Sequence, residues 1–122
     1  MILMAWAVIF DEAFAAEFEA FPRDAQTALL AKARLLESFG PTLGRPHVDT
    51  LKASKHTNMK ELRFDAADGA WRAAFAFDAI RQAVILIAGD KSGVAQARFY
   101  RKLIATADKR FEAHLAQLKK ER

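Results

Sequence analysis

Two arginines, Arg63 and Arg72, are the side chains of this sequence whose type and spacing most clearly suggest chemistry. They lie in two strand-like runs, residues 59–65 and 70–78, on either side of a turn containing Asp68-Gly69, which is a common hairpin signal. Pairing the two runs across this turn places Arg63 opposite Arg72 on one face of a sheet. Facing cations repel, and an anion between them would remove the penalty, because guanidinium groups match phosphate geometry. The pair therefore predicts a phosphate-binding site.

An acidic side chain of the protein could neutralise the same two arginines. Glu61, Asp65 and Asp78 belong to the same two runs and are the candidates for this purely structural role. The facing of Arg63 and Arg72 also depends on the hairpin register, since a slip of one residue would separate them. Both interpretations stay open at this point.

Further basic residues surround the predicted hairpin. Residues 31–122 hold eighteen basic and ten acidic side chains, which favours a polyanionic partner. Solvated charge explains the basic residues of the last helix, and the turn position of Lys91, equally well. The long irregular segment 40–58, the first hairpin strand, the turn after the last strand and the start of the last helix supply these residues: Arg45, His47, Lys52, Lys55, His56, Lys60, Lys91, Arg98, Arg101 and Lys102.

The composition excludes several other kinds of site. The chain has no cysteine, which rules out a disulfide framework, a thiolate zinc site and a cysteine nucleophile. Its three histidines, His47, His56 and His114, are scattered and make a poor set of metal ligands. We therefore expect neither a metal nor a cofactor.

The secondary-structure pattern predicts one α+β domain over residues 1–122. The predicted order is β-α-α-β-β-β-α, with an antiparallel-rich twisted sheet, an N-terminal helical hairpin and a long C-terminal helix. Strand patterns cover residues 4–10, 59–65, 70–78 and 82–88, with a short strand around 48–51, and helical patterns begin near Asp11, Asp24 and Val94.

Apolar residues at helical spacing define the expected core of the helices. Leu29, Ala33, Leu36 and Phe39 form one stripe in the second helix, and Tyr100 begins the stripe of the last. Residues 1–10 lack the basic start of a signal peptide and are too short to cross a bilayer. They predict a buried strand instead, so we expect a cytoplasmic protein without a membrane segment.

Three strings in this sequence resemble the RelE/ParE superfamily of bacterial toxins, in particular its HigB-like, phage-derived branch. They are RPHVDTLKASK (residues 45–55), MKELRFD (59–65) and WRAAFAFD (71–78), followed by an apolar strand that leads to Lys91 and by a C-terminal helix. The resemblance covers nearly the whole chain. It implies a RelE-like fold and a type II toxin encoded beside an antitoxin, often a helix-turn-helix protein, with which it would form a hetero-oligomer.

Many members of the group cut mRNA within the ribosome, so the resemblance implies a metal-independent endoribonuclease that inhibits translation. In such an enzyme the RNA 2′-hydroxyl attacks its own phosphate, and the protein supplies cations, an acid and a base. Arg63 and Arg72 would stabilise the scissile phosphate, and Lys91, His56 and Tyr100 would complete the catalytic set, although the stripe position of Tyr100 favours packing. The implied RNA-binding residues are Arg45, Lys52, Lys55, Lys60 and Arg101.

The chain departs from HigB-like relatives after Lys91. They often place a second lysine and a Thr/Pro-rich stretch here, whereas residues 89–111 read GDKSGVAQARFYRKLIATADKRF. This departure favours an inactive domain, and the shared fold does not exclude a gyrase-binding toxin, so two other functions stay open. One is a non-catalytic toxin that binds DNA gyrase in the manner of ParE, and the other is an inactive interaction domain.

Overall fold

The computed structural model describes residues 6–121. No helix in this range is long and apolar enough to cross a membrane. The elements follow one another in this order: β1 (Ala7–Phe10), α1 (Glu12–Phe18), α2 (Arg23–Phe39), a 3-10 turn (Gly40–Thr42), β2 (Val48–Thr50), β3 (Met59–Ala66), β4 (Gly69–Phe77), β5 (Gln82–Asp90) and α3 (Gln96–Lys120).

The five strands form one sheet in the order β1-β5-β4-β3-β2. All neighbouring strands are antiparallel except β1 and β5, which are parallel. The predicted antiparallel-rich sheet is confirmed, and the short strand expected near residues 48–51 is β2. β1 lies at the sheet edge, where Ala7 is exposed and Val8 to Phe10 are half-buried, so the prediction of a fully buried strand is wrong. The first part of that predicted strand lies outside the described residues.

The hairpin of β3 and β4 has the predicted register, with Arg63 opposite Arg72 and Phe64 opposite Trp71. Its turn differs in detail from the prediction. Ala67 and Asp68 form the two-residue loop, and both have positive φ, as a tight hairpin turn requires. Gly69 is instead the first residue of β4, where a Cβ atom would clash with the Asp90 carboxylate.

Helices α1 and α2 cover the face of the sheet that carries Leu62, Phe64 and Trp71. The Asp11 carboxylate accepts a hydrogen bond from the Phe14 N–H and caps α1, as expected. In α2 the predicted stripe is buried except for Phe39, which is 54% exposed. Phe39 lies roughly 90° around the helix from the centre of that stripe, so its core assignment is wrong.

Helix α3 covers the opposite face of the sheet. Leu103, Ala107 and Phe111 of α3 pack against Met59, Ala74, Ala76, Val84 and Leu86 of the three central strands. Since side chains alternate along a strand, Arg63 and Arg72 lie on this face as well. The helix therefore supports the face on which the candidate residues of the hairpin are placed.

Candidate functional site

Glu61, Arg63, Arg72 and Tyr100 meet on the α3 face of the hairpin, and we refer to them as the arginine cluster. The Glu61 carboxylate lies between the two guanidinium groups, with Oε1 3.8 Å from Nε of Arg72 and Oε2 3.8 Å from Nε of Arg63. The Tyr100 hydroxyl donates a hydrogen bond of 2.8 Å to Glu61 Oε1. Glu61 is buried, so the cluster has an internal anion at its centre.

Local geometry explains why these four residues come together. Glu61 and Arg63 are two residues apart on β3 and share a face, and Arg72 lies across the hairpin from Arg63. Tyr100 sits in the second turn of α3, which packs over this end of the sheet. Of the three acids considered from the sequence, Glu61 is therefore the one that offsets the repulsion between the arginines.

The contacts with Glu61 leave donors of both arginines available for another acceptor. A separation of 3.8 Å is an ion pair but is too long for a hydrogen bond. The Arg63 side chain is 33% exposed. Arg72 is only 9% exposed, and one of its terminal nitrogens donates to the Trp71 carbonyl at 2.8 Å. Arg63 therefore has an exposed guanidinium group, whereas that of Arg72 is largely covered.

Tyr100 is held in its neutral form. Burial raises the pKa of its hydroxyl, and the hydrogen bond to the Glu61 carboxylate and the charge of that group raise the pKa further, while Arg72 opposes them. A neutral phenol is a hydrogen-bond donor and a proton source, and it is a poor base. From the sequence, Tyr100 could have either a packing role or a catalytic one. In the structure its hydroxyl lies against the ion pairs of the cluster.

Lys91 lies at the same end of the sheet as the arginine cluster. It follows β5 directly, and its N–H donates to the carbonyl of Ala70, two residues before Arg72, at 2.8 Å. Its side chain is half-buried. The turn after β5 therefore presents a lysine close to the start of β4.

His56, on the loop before β3, packs against a later part of α3 than Tyr100. Its ring packs edge-on against Phe111 at 5.2 Å, and its Nε2 atom is 3.8 Å from the Glu112 carboxylate. Phe111 is eleven residues after Tyr100 on α3, which corresponds to roughly 16 Å along the helix axis. The structure does not bring His56 together with the arginine cluster.

The predicted RNA-binding residues are distributed over more than one surface. Lys52 and Lys55 are exposed on the loop before β3, and Arg101 is exposed next to Tyr100. Arg45 is exposed and forms an ion pair of 2.6 Å with Asp49. Lys60 faces the other side of the sheet, because it stands opposite Phe75 and two residues before Leu62.

Sequence reasoning missed two residues that shape this region. Asp108 of α3 is buried and accepts hydrogen bonds from the Ser54 hydroxyl and from the Lys55 N–H, so it fixes the basic loop against the helix. Lys32 of α2 lines a groove together with both cluster arginines. The available signals were the positions of the two residues beside apolar stripes. Asp108 follows Ala107 of the α3 stripe, and Lys32 precedes Ala33 of the α2 stripe. Within residues 6–121, no group of three or more His, Asp or Glu side chains is placed to hold a metal ion.

Comparisons with known proteins extend over most of the chain. The family described as phage-derived, Gp49-like proteins matches residues 16–112. Two curated proteins of Mycobacterium tuberculosis (strain ATCC 25618 / H37Rv), both provisionally named as toxins, are similar in sequence. HigB2 is 41% identical over 107 residues, which are 87% of this chain and 53% of HigB2. HigB3 is 48% identical over 99 residues, which are 81% of this chain and 84% of HigB3. The chain thus spans about half the length of HigB2.

Solved structures share the fold at low sequence identity. The E. coli toxin RelE, as a double arginine-to-alanine mutant in the free state, gives a TM-score of 0.60 at 14% identity and covers 88% of this chain and 98% of its own. A chain of the RelE-RelB complex from Pyrococcus horikoshii OT3 gives 0.54 at 16% identity, with 75% and 100% covered. These likenesses confirm the predicted RelE-like fold. The family match and the identity to HigB2 and HigB3 show that the chain belongs to the phage-derived Gp49-like family and is a relative of these HigB proteins.

Proposed function

We propose that this protein is the toxin of a type II toxin-antitoxin pair and cuts mRNA on the ribosome, in the cytoplasm, without a metal ion. The observation that carries the proposal is the arginine cluster, in which two guanidinium groups flank a buried carboxylate at distances too long for hydrogen bonds to it. The toxin names of the relatives HigB2 and HigB3 support the part of the proposal that this protein is a toxin.

The proposed reaction is transesterification within the RNA. The 2′-oxygen attacks the adjacent phosphorus and the bond to the 5′-oxygen breaks, which leaves a 2′,3′-cyclic phosphate and a 5′-hydroxyl. A base takes the proton of the 2′-hydroxyl, and an acid gives one to the departing 5′-oxygen. Arg63 would stabilise the charge that builds on the phosphorane, since it is the more exposed of the two guanidinium groups.

The remaining residues would have distinct roles in this reaction. Tyr100 is the candidate acid, because its hydroxyl is protonated at neutral pH and lies against the ion pairs of the cluster, although its raised pKa makes it a weaker acid than an ordinary tyrosine. Lys91 would contact the RNA at the same end of the sheet. Asp108 fixes the loop that carries Lys52 and Lys55, and these lysines would bind the RNA strand farther from the cluster. His56, on the same loop, would contact the RNA there as well.

Induction of the wild-type protein and its variants in bacterial cells tests this proposal. We expect the wild-type protein to stop translation and to fragment mRNA, the Arg63→Ala variant to do neither, and Arg63→Lys to retain part of the activity. Arg34→Ala is the matched control, because Arg34 is an exposed arginine of α2 on which the proposed site does not depend. Full toxicity of Arg63→Ala with intact folding would contradict the proposed site.

A non-catalytic function is the second candidate, and the burial of Arg72 favours it. A guanidinium group that is 9% exposed and paired with Glu61 also fits a purely structural ion network. A toxin that binds DNA gyrase would inhibit supercoiling in vitro while cellular mRNA stays intact. An inactive domain would give no growth defect at all. The induction experiment, extended by a supercoiling assay, separates these three outcomes.

We also propose an antitoxin partner encoded next to this protein. One similar structure is a complex of RelE with RelB, and the names of the sequence relatives describe toxins. Co-expression with the product of a neighbouring reading frame, expected to be a small helix-turn-helix protein, should yield a stable complex and restore growth. Failure of every neighbouring product to bind would contradict this part of the proposal.

A further inference from the structure

A groove of about 560 Å³ lies between α2 and the outer edge of β3. We refer to it as the α2–β3 groove. β2 pairs with β3 only as far as the Val48–Leu62 pair, so within residues 6–121 no strand covers the outer edge of β3 beyond this point. The groove curves around that edge, because it is lined both by Phe64, on the α2 face, and by Arg63, on the α3 face.

The polar lining of the α2–β3 groove is predominantly cationic. Lys32, Arg63 and Arg72 contribute three positive charges, and Asp65 contributes one negative charge. A concave surface with an excess of one charge focuses the field and attracts ions of the opposite sign. The charge of the groove therefore suits an anionic ligand.

Arg72 gives an independent indication that the groove takes a hydrogen-bond acceptor. More than nine-tenths of its side chain is buried, and its Nε atom has no hydrogen-bond partner in the described part of the chain. Buried donors are nearly always satisfied, because leaving one without an acceptor is unfavourable. The Glu61 carboxylate, 3.8 Å away, balances the charge of this group but does not accept its N–H, so a closer anion in the groove would supply the missing acceptor.

Lys32 is held in position at the groove by His47. Its ammonium group donates to His47 Nδ1 at 2.8 Å, which leaves two of its three N–H groups for a ligand. The His47 carbonyl also accepts the Arg63 N–H at 2.8 Å. His47 therefore fixes the lysine of α2 relative to the arginine of β3.

We propose that the α2–β3 groove binds a second phosphate of the RNA, next along the strand from the phosphate at the arginine cluster. Lys32 would be a phosphate ligand and His47 its positioning residue. The proposal rests on the proposed function, since it extends the same bound strand. RNA is favoured over an acidic peptide because Arg63 and Arg72 line both sites, and a nucleic acid strand presents phosphates at regular intervals.

The test measures binding of the full-length protein to a single-stranded, 2′-O-methylated RNA oligonucleotide, which lacks the attacking hydroxyl. Dissociation constants are determined over a series of NaCl concentrations for wild type, Lys32→Gln and Arg34→Gln. Lys32→Gln should weaken binding and reduce the slope of log Kd against log [NaCl] by about 0.7, which corresponds to one phosphate contact on a single strand. Arg34→Gln should keep the wild-type slope, because this exposed arginine on the same helix does not line the groove.

A double-mutant cycle tests the positioning role of His47. His47→Leu removes the acceptor for Lys32 but leaves the lysine charge, so it should weaken RNA binding in the wild-type background and have no effect in the Lys32→Gln background. A purely structural role of His47 would weaken binding equally in both backgrounds and would overturn this part of the proposal. Melting temperatures of all variants identify those that do not fold.

Arg63→Gln in the same assay separates this proposal from the proposed function. If Arg63→Gln weakens binding while Lys32→Gln keeps the wild-type affinity and slope, the groove proposal is overturned and the cluster stands. If neither change affects RNA binding, the proposed phosphate contacts are overturned as well. Binding of poly-glutamate that depends on Lys32, combined with RNA binding that does not, would assign the groove to an acidic protein partner and overturn the RNA proposal.

Discussion

Arg63 and Arg72 face each other across one hairpin, but their surroundings differ. Arg63 is one-third exposed, whereas Arg72 is buried between Glu61 and the backbone of Trp71. Removing one partner of a buried ion pair leaves an uncompensated charge. We therefore predict that Arg72→Ala lowers the free energy of unfolding by about 3 kcal/mol, and that Arg63→Ala lowers it by less than about 1 kcal/mol. Urea denaturation measures both values.

A second substitution shows whether the charge of Glu61 causes the difference. Glu61→Gln in the Arg72→Ala background removes the charge of a buried carboxylate that has lost one of its two cations, and it should restore part of the lost stability. Equal destabilisation by the two arginine variants would contradict the difference in burial on which the prediction rests.

Tyr100 allows a direct measurement on the arginine cluster, because it is the only tyrosine of the chain. Burial and the Glu61 carboxylate raise the pKa of its hydroxyl, so the midpoint of its ionisation should lie above the ordinary value of about 10. Ultraviolet absorbance of tyrosinate follows this ionisation without interference from another tyrosine. Glu61→Gln should move the midpoint to lower pH. An ordinary midpoint that Glu61→Gln leaves unchanged, in protein shown by circular dichroism to be folded, would contradict the contact.

The arginine pair was predictable from the sequence, but the cluster around it was not. Strand periodicity and a short turn place Arg63 opposite Arg72, and Glu61 was among the acids considered. Tyr100 is 39 residues from Glu61 in the sequence, so no local pattern indicates their hydrogen bond. Lys32 depends in the same way on the packing of α2 beside β3. Contacts between distant elements decide which residues complete a site.

The turn after β4 and the last part of α3 are joined by Asp78 and His114, whose carboxylate oxygen and ring nitrogen lie 2.8 Å apart. Burial alone would raise the pKa of Asp78, but hydrogen bonds from His114, from Gln82 and from the Ile80 N–H outweigh it and lower the pKa. A carboxylate with a lowered pKa stabilises the folded state above its unfolded pKa of about 3.9, and this stabilisation is lost as the pH falls through the lower folded value.

Asp78→Asn should therefore destabilise the protein by about 2 kcal/mol at neutral pH, since hydrogen bonds to a charged group are lost. The difference from wild type should shrink below about pH 4, where Asp78 becomes protonated in the unfolded state, and it should be lost as the pH falls through the lower folded pKa. Melting temperatures between pH 2.5 and 7 test this, with Glu37→Gln as the control for an exposed acid. A difference that is independent of pH would contradict the assigned carboxylate.

Whole elements were more predictable than the relations between them. The hairpin signal, the Asp11 cap and the stripe of Leu103, Ala107 and Phe111 gave the correct elements, because each depends on neighbours close in the sequence. The parallel pairing of β1 with β5 joins residues about 75 positions apart, and the edge location of β1 leaves Val8 to Phe10 only half-buried on both faces of the strand. Period-two alternation alone does not distinguish an edge strand from a central one.

At the scale of the whole molecule, Arg110 joins the helical layers on the two faces of the sheet. From α3 it forms a two-pronged ion pair with Glu17 of α1, with distances of 2.9 and 2.6 Å. It also donates to the Leu86 carbonyl of β5 at 2.8 Å. The pairing of β1 with β5 ends at Ile85, so the side chain passes the end of β1 to reach the other face.

We predict that Arg110→Ala lowers the free energy of unfolding by about 2 kcal/mol, because the Leu86 carbonyl loses its donor and the half-exposed Glu17 loses its partner. The free energy of unfolding of Arg110→Lys should lie between those of wild type and Arg110→Ala, since an ammonium group cannot match both oxygens of a carboxylate. Lys109→Ala changes an exposed neighbour on the same helix and should have little effect. Hydrogen exchange should show the α3 amides of Arg110→Ala opening before those of β3 and β4. If α3 and the sheet exchange together in this variant, at the wild-type rate, then packing of Leu103, Ala107 and Phe111 alone holds the helix, and Arg110 does not join the layers.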